Sequence, residues 1–234
     1  EKAAVSNGDI PLKFTADIHE VTYTRVAGNG FEENDEVGVF ALVGSSTMKE
    51  ERYADNLRFF RTSEKVFESS EPIYYPDDEV TLRLISYYPY QEEGVNMGES
   101  TMSVAVETDQ NLSAGYFCSD FLVASQNLQS APKGAIALHY DHKFFKLKIA
   151  LVGKEGEELQ GILDADPKLS VCGFYTKAIY DFQKETYSAF SNEKSITPAG
   201  KWEIQGDRLS GKEVILIPQE TTLGYQYIVL DVGG

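Results

Sequence analysis

His139 and His142 stand three residues apart. On a strand that spacing sends the two imidazoles to opposite faces, so a shared metal would need a local bulge to turn them together. Two acidic clusters, Glu32-Glu33-Asn34-Asp35-Glu36 and Asp77-Asp78-Glu79, offer the carboxylate oxygens that calcium takes. Neither has the EF-hand order with its central glycine, and both read as solvated acidic turns. A glycosidase needs one particular pair of carboxylates; among 37 Asp and Glu no second feature selects a pair. Gly28-Asn29-Gly30 is not a dinucleotide loop, because no helix follows it, and GxSxG, P-loop and HExxH motifs are absent. Cys118 and Cys172 lie in neither CxxC nor metal-like spacing. They read as two buried thiols, with a disulfide between them left open, and neither has an evident His partner to act as its base. Tyr74, Tyr75, Tyr87, Tyr88, Tyr90, Tyr175, Tyr180 and Tyr187 have the chemistry to stack on sugars, but tyrosine-rich strands more commonly use these rings for sheet packing and strand pairing. The reading is a non-enzymatic protein, with no catalytic residue, no metal ligand and no cofactor assigned, and with ligand-binding residues left open.

The elements around these residues follow a period of two. Leu12, Phe14, Ala16 and Ile18 alternate with Lys13, Thr15, Asp17 and His19, after which Val21 and Tyr23 carry the apolar face. Such a one-residue phase change predicts a bulge or break near His19–Glu20. Val37 to Val43 is apolar on both faces, as in a central strand. Residues 44–58 and 91–100 read as loops. Strands are predicted at Val80 to Tyr88, around Met102, Val104 and Val106, at Ile136 to Tyr140 and at Phe145 to Leu151. Later strands are expected at Leu169–Tyr175, Tyr187–Phe190, Val214–Ile217 and Tyr225–Val232. No long amphipathic helix is evident. The polar stretch from Gln126 to Gly134 reads as a domain boundary. It divides the chain into a tether at residues 1–10, an N-terminal β domain at 11–130 and a C-terminal one at 131–234.

Bulk composition restricts partners. With 21 Lys and Arg the 234-residue chain carries a net charge of −16. That sign repels phosphate chains and argues against nucleic acid and anionic membranes. No stretch approaches the roughly 20 apolar residues of a membrane span. The polar start, without an initiating Met, reads as a mature or trimmed chain whose targeting segment lies upstream.

The order of several short stretches resembles the fimbrillin family of Bacteroidetes, pilin-like surface proteins that include a minor-fimbria-like group. The stretches are Thr24-Arg25, Asn34-Asp35-Glu36-Val37-Gly38-Val39-Phe40, Ile73-Tyr74-Tyr75-Pro76, Tyr87-Tyr88-Pro89-Tyr90, Ser119-Asp120-Phe121-Leu122-Val123-Ala124, and Leu138-His139-Tyr140-Asp141-His142-Lys143 running into Lys146-Leu147-Lys148-Ile149. In the family's pattern His142 falls at a strand start, where packing explains it. The resemblance implies an all-β fold of two transthyretin-like antiparallel β-sandwich domains. It also implies export as an outer-membrane lipoprotein whose lipidated Cys lies upstream, and assembly into a pilus or fimbrium for cell adhesion. In this family a segment near the N-terminus is removed by a protease and a donor strand from another subunit fills the groove. Carried onto this chain, the displaceable strand comprises Leu12, Phe14, Ala16 and Ile18, and cleavage follows Arg25. Expected partners are other pilin subunits by strand exchange and host or bacterial surface proteins or glycans, the membrane being reached only through the lipid anchor. The competing reading is a stand-alone surface carbohydrate-binding lipoprotein. Family members usually continue past the position of Gly234, so the expectation is either a truncated chain or a shorter member that accepts a strand without donating one.

Overall fold

An unbroken apolar run demands cover on both faces. In the structure, a computed structural model that describes residues 11–19, 30–76, 80–154 and 158–232, Val37, Val39, Phe40, Ala41 and Leu42 are all completely buried. The strands, in chain order, begin with β1 (Phe14–Ile18), β2 (Glu36–Val43), β3 (Ala54–Arg61), β4 (Phe67–Glu68), β5 (Leu82–Tyr88), β6 (Thr101–Ala105), β7 (Leu122–Leu128) and β8 (Ile136–His142). They continue with β9 (Phe145–Leu151), β10 (Lys168–Asp181), β11 (Thr186–Ile196), β12 (Glu203–Gln205), β13 (Arg208–Leu216) and β14 (Ile228–Asp231). Two six-residue helices, α1 (Ser113–Cys118) and α2 (Leu159–Asp164), complete the described residues. The protein is therefore all-β.

The chain forms two units, and a single cut near residue 130 does not separate them. The first takes its described residues from 1–102, 121–143 and 181–185, the second from 103–120, 144–180 and 186–234. Strand β8, expected in a domain of residues 131–234, pairs with β1 and β7 in the first unit. The polar stretch taken for a linker ends in the β7–β8 hairpin connection, because Pro132 and Gly134 mark a chain reversal as readily as a domain boundary.

In the first unit seven strands form one closed sheet in the order β1-β4-β3-β2-β5-β7-β8, with β8 returning to β1. This barrel-like sheet departs from the expected antiparallel sandwich in that β1 and β8 run parallel. Their residues are about 122 positions apart, so no tight turn forces them antiparallel. Leu12, Phe14, Phe31, Val37, Val39, Phe59, Phe67, Leu138 and Tyr140 share one core. Phe31 meets Phe67, Tyr88 and Tyr140 edge-on at 5.2, 5.4 and 5.0 Å, a favourable geometry for aromatic quadrupoles. One buried polar chain crosses this unit: Tyr140 Oη lies 2.6 Å from Ser86 Oγ, whose hydroxyl donates to the Gly38 carbonyl at 3.0 Å. Gly38 is required there, because a Cβ would enter the Tyr87 ring. The opposite side of β2 is covered by Phe40, Tyr87, Phe121 and Phe182, whose rings lie 5.8 to 6.4 Å apart.

Phe182 is held by a turn. Its N–H donates to the Ser100 carbonyl at 2.8 Å, and Asp181 accepts from the Ser100 hydroxyl at 3.0 Å and from the Gln183 and Lys184 N–H groups at 2.9 and 3.3 Å. Burial pushes the Asp181 carboxyl up, but these donors and the Lys184 ammonium outweigh it and hold the group below its ordinary value of 3.8. A depressed carboxylate contributes stability that is present above the unfolded value and lost as pH falls through the folded one. Asp181→Asn is expected to lower stability at neutral pH by about 1 kcal/mol and to flatten the loss below about pH 4. Chemical denaturation from pH 7 down to pH 3 checks this; equal acid slopes for the two proteins would contradict it.

In the second unit β10 pairs with β11, β14 and β6, and β13 pairs with β12 and β9. Gln110 is fully buried and stands in for a missing strand partner. Its amide donates to the Ile215 carbonyl and accepts from the Ile215 N–H, both at 2.8 Å, so the main chain there keeps both hydrogen bonds.

Several local expectations change. Residues 54–58, read as loop, belong to β3. Cys118 is exposed rather than buried, and both thiols are free. Phe145, at the start of the predicted strand Phe145 to Leu151, is 39% exposed.

Candidate assembly site

The alternation of Leu12, Phe14, Ala16 and Ile18 produces a strand with one apolar face. Leu12 and Phe14 are buried (3% and 1% exposed), and Ala16 and Ile18 pack against the same core. The Phe14 ring lies 4.7 Å from Phe59. All four predicted residues are thus brought together as one apolar insert that closes the sheet. Arg25 and the phase change through Val21 and Tyr23 lie outside the described residues.

The two flanks of β1 are unequal. Toward β8 it makes a five-residue parallel ladder from Phe14↔Ile136 to Ile18↔Tyr140. Ile136 N–H donates to the Lys13 carbonyl at 2.8 Å, and His19 N–H to the Tyr140 carbonyl at 2.9 Å. Toward β4 its strand register is a single antiparallel pair, Phe14↔Phe67. Without β1, the β8 edge would present unpaired N–H and C=O groups beside an apolar groove, the two features that an incoming strand satisfies.

Exposed ion pairs fasten the outer face of this strand. Lys13 Nζ contacts Glu68 at 2.5 Å. His139 on β8 contacts Asp17 at 2.5 Å, and His19 contacts Asp141 at 2.8 Å. The His19 and His139 rings stack 5.5 Å apart. His139 is therefore occupied across the β1–β8 ladder rather than with His142. Sequence reasoning missed these cross-strand pairs because the parallel register that aligns them joins distant segments. Solvent-exposed pairs of this kind each contribute little, about 0–1 kcal/mol.

The two stretches read as loops, 44–58 and 91–100, are tied to each other. Arg52, only 6% exposed, donates from Nε to the Met48 carbonyl at 2.8 Å. It also donates to the Val95, Asn96 and Glu99 carbonyls at 2.7, 2.8 and 3.0 Å and pairs with Asp55. Asn56 donates to the Gln91 carbonyl at 2.9 Å and accepts from the Tyr87 hydroxyl at 2.7 Å. Tyr53 (45%) and Met97 (60%) remain exposed on this loop pair.

The acidic clusters behave as turns where they are described. Glu32 N–H donates to the Asp35 carboxylate at 2.6 Å, and Glu36 pairs with Arg58. Burial raises the Asp35 carboxyl above its ordinary value. Asp77-Asp78-Glu79 lies outside the described residues, among which no group of three His, Cys, Asp or Glu is placed to hold a metal. Of the tyrosines weighed for sugar stacking, Tyr75, Tyr87 and Tyr180 are core residues, while Tyr74 (38%) and Tyr175 (40%) are exposed.

Fold and site define an all-β protein whose first described strand closes a sheet that is otherwise open at β8. Residues 24–234 match the fimbrillin-like family model, and the chain belongs to that family. Solved structures with the same fold include a candidate cell adhesion protein of Bacteroides uniformis ATCC 8492 (TM-score 0.62, 19% identity, 94% of this chain and 78% of that one). A candidate cell adhesion protein of Bacteroides ovatus ATCC 8483 aligns with TM-score 0.61 and 16% identity over 91% of this chain and 80% of its own. A fimbrial protein of Bacteroides vulgatus ATCC 8482 aligns with TM-score 0.53 and 17% identity over 88% and 77%. No curated protein matches the sequence.

Proposed function

We propose that this chain is a non-enzymatic fimbrial subunit or fimbria-associated adhesin, exported to the bacterial surface through an upstream lipid anchor. It assembles with other pilin subunits by strand exchange after proteolysis at Arg25. Its two units are elaborations of transthyretin-like sandwiches, and its exposed loops meet host or bacterial surface proteins or glycans. Membership of the fimbrillin-like family supports this reading. The observation that carries it is the unequal hold on β1: five register positions on β8, one on β4, and an apolar face set into the core.

The energetics suit a long-lived joint. Burial of Leu12 and Phe14 alone contributes roughly 1.5–3 kcal/mol each, which an equivalent donor strand would recover, less the cost of ordering it. Native incubation with an arginine-specific protease, followed by size-exclusion chromatography, tests the proposal. Cleavage is expected to turn a monomer into multimers, and a synthetic peptide of residues 11–19 added in excess is expected to hold the cleaved chain monomeric. A chain that stays intact, or that is cut after Arg25 and then neither multimerises nor takes up the peptide, would sink the strand-exchange mechanism.

A further inference from the structure

The second unit contains a cleft of about 540 Å³, a size typical of small-molecule sites. Lys168, Lys201 and Lys212 line it, and Asp166, the one carboxylate among the described lining residues, is already paired with Lys168. In a chain of net charge −16, this concentrates cations where a compact anion fits. The remaining lining is mixed: Asn111, Ser170 and Thr197 offer amide and hydroxyl groups, and Trp202 offers ring carbon. The indole N–H is committed to the Pro167 carbonyl at 2.9 Å, which fixes the ring.

The walls are preformed by main-chain bonds. Thr197 N–H donates to the Thr108 carbonyl at 2.8 Å, and Gln110 N–H to the Thr197 carbonyl at 3.0 Å. Ala199 and Glu213 exchange two bonds at 2.8 and 3.1 Å. Gly200 has a φ of +86° and lies so close to the Gly211 carbonyl that a side chain would collide with it. A rigid site avoids the ordering cost of binding.

From this geometry we infer that the cleft binds an acidic saccharide of the uronic or sialic acid class. The lysines engage its carboxylate, the amide and hydroxyl groups its ring hydroxyls, and Trp202 its apolar ring face. A saccharide suits the lining better than an acidic peptide does, because neutral polar groups and ring carbon flank the cations. Desolvation, and then the neighbouring Lys168, lower the Lys212 ammonium below its ordinary range, opposed by Asp166; a bound carboxylate adds a second opposing charge. The inference gives a ligand class to the proposed adhesin, but it does not require strand exchange.

Isothermal titration of the uncut monomer with sialyllactose, digalacturonic acid, lactose and a hexaglutamate peptide tests it. At least one acidic saccharide is expected to bind about tenfold or more tightly than lactose, as expected for one charge-assisted hydrogen bond, and to weaken with added salt. Lys212→Gln removes a desolvated charge, so it is expected to keep the melting temperature and lose binding about tenfold. Lys201→Gln provides a second variant, and Lys177→Gln, on the exposed side of β10, serves as a control expected to bind normally. Three results would overturn the inference: lactose binding as well as the acids, Lys212→Gln and Lys201→Gln both binding like Lys177→Gln, or binding of hexaglutamate alone. Multimer formation after proteolysis is read separately, so failure of either reading leaves the other standing.

Discussion

Arg52→Met is expected to cost about 3–5 kcal/mol of stability, because it strips several main-chain carbonyls of their donor at about 1–3 kcal/mol for each one that is buried. A guanidinium has five N–H donors in a rigid fork, and Arg52 meets five acceptors: the carbonyls of Met48, Val95, Asn96 and Glu99 and the Asp55 carboxylate. Its carbon also sits 5.2 Å over the Phe40 ring, adding a cation–π contact. Methionine matches much of the volume but leaves four carbonyls without this donor, and those that are buried carry the full desolvation penalty, whereas the Asp55 carboxylate, 40% exposed, can turn to water. Arg52→Lys keeps the charge but brings three donors from one point, so it is expected to fall between the two. Urea midpoints at unchanged m-value measure the loss. Limited proteolysis is expected to shift to residues 44–53 and 91–99, whose mutual tie is cut. A variant within 1 kcal/mol of the parent would show that these loops are held by something else.

Phe14→Ala is the second large effect, about 3–5 kcal/mol by the usual cost of emptying a buried phenylalanine site. The ring is 1% exposed, touches Phe59 at 4.7 Å, and belongs to the residue that pairs with both Phe67 and Ile136. Its loss weakens the apolar hold on β1 where only one register pair secures the β4 flank. Hydrogen exchange should therefore show more than uniform destabilisation. The Ile136 amide, which donates to the Lys13 carbonyl, is expected to exchange faster than amides between β2 and β5. Exchange accelerated equally in both places would mean that β1 opens only with the whole sheet. A Phe59→Ala variant separates the two effects, since it empties the same core from β3 and leaves the β1 side chains intact.

Much of this arrangement is legible in the sequence. Period-two alternation identified β1 and β8 by their apolar faces, and the uninterrupted run from Val37 to Val43 identified a strand covered on both sides. Local pattern carries such information because pleated backbone sends successive side chains to opposite faces. The ordered motifs also pointed to the family that the chain belongs to. Pattern was weaker at element ends: β3 begins within the polar stretch 44–58, and β10 extends to fourteen residues, because pairing with a neighbour keeps polar residues extended.

Strand partners are fixed by the fold and not by local pattern. The parallel register of β1 on β8, the single pair to β4, and the ion pairs of His19 and His139 all join residues far apart in sequence. Arg52 carried no sequence signal, since four of its acceptors are main-chain carbonyls that any residue supplies. The lysine-lined cleft draws on four separated segments, around Asn111, Pro167, Thr197 and Lys212. Alternation records which face of a strand is buried, a local property of the chain; strand order and converging side chains depend on closing long loops, whose small entropic cost leaves little imprint on local sequence.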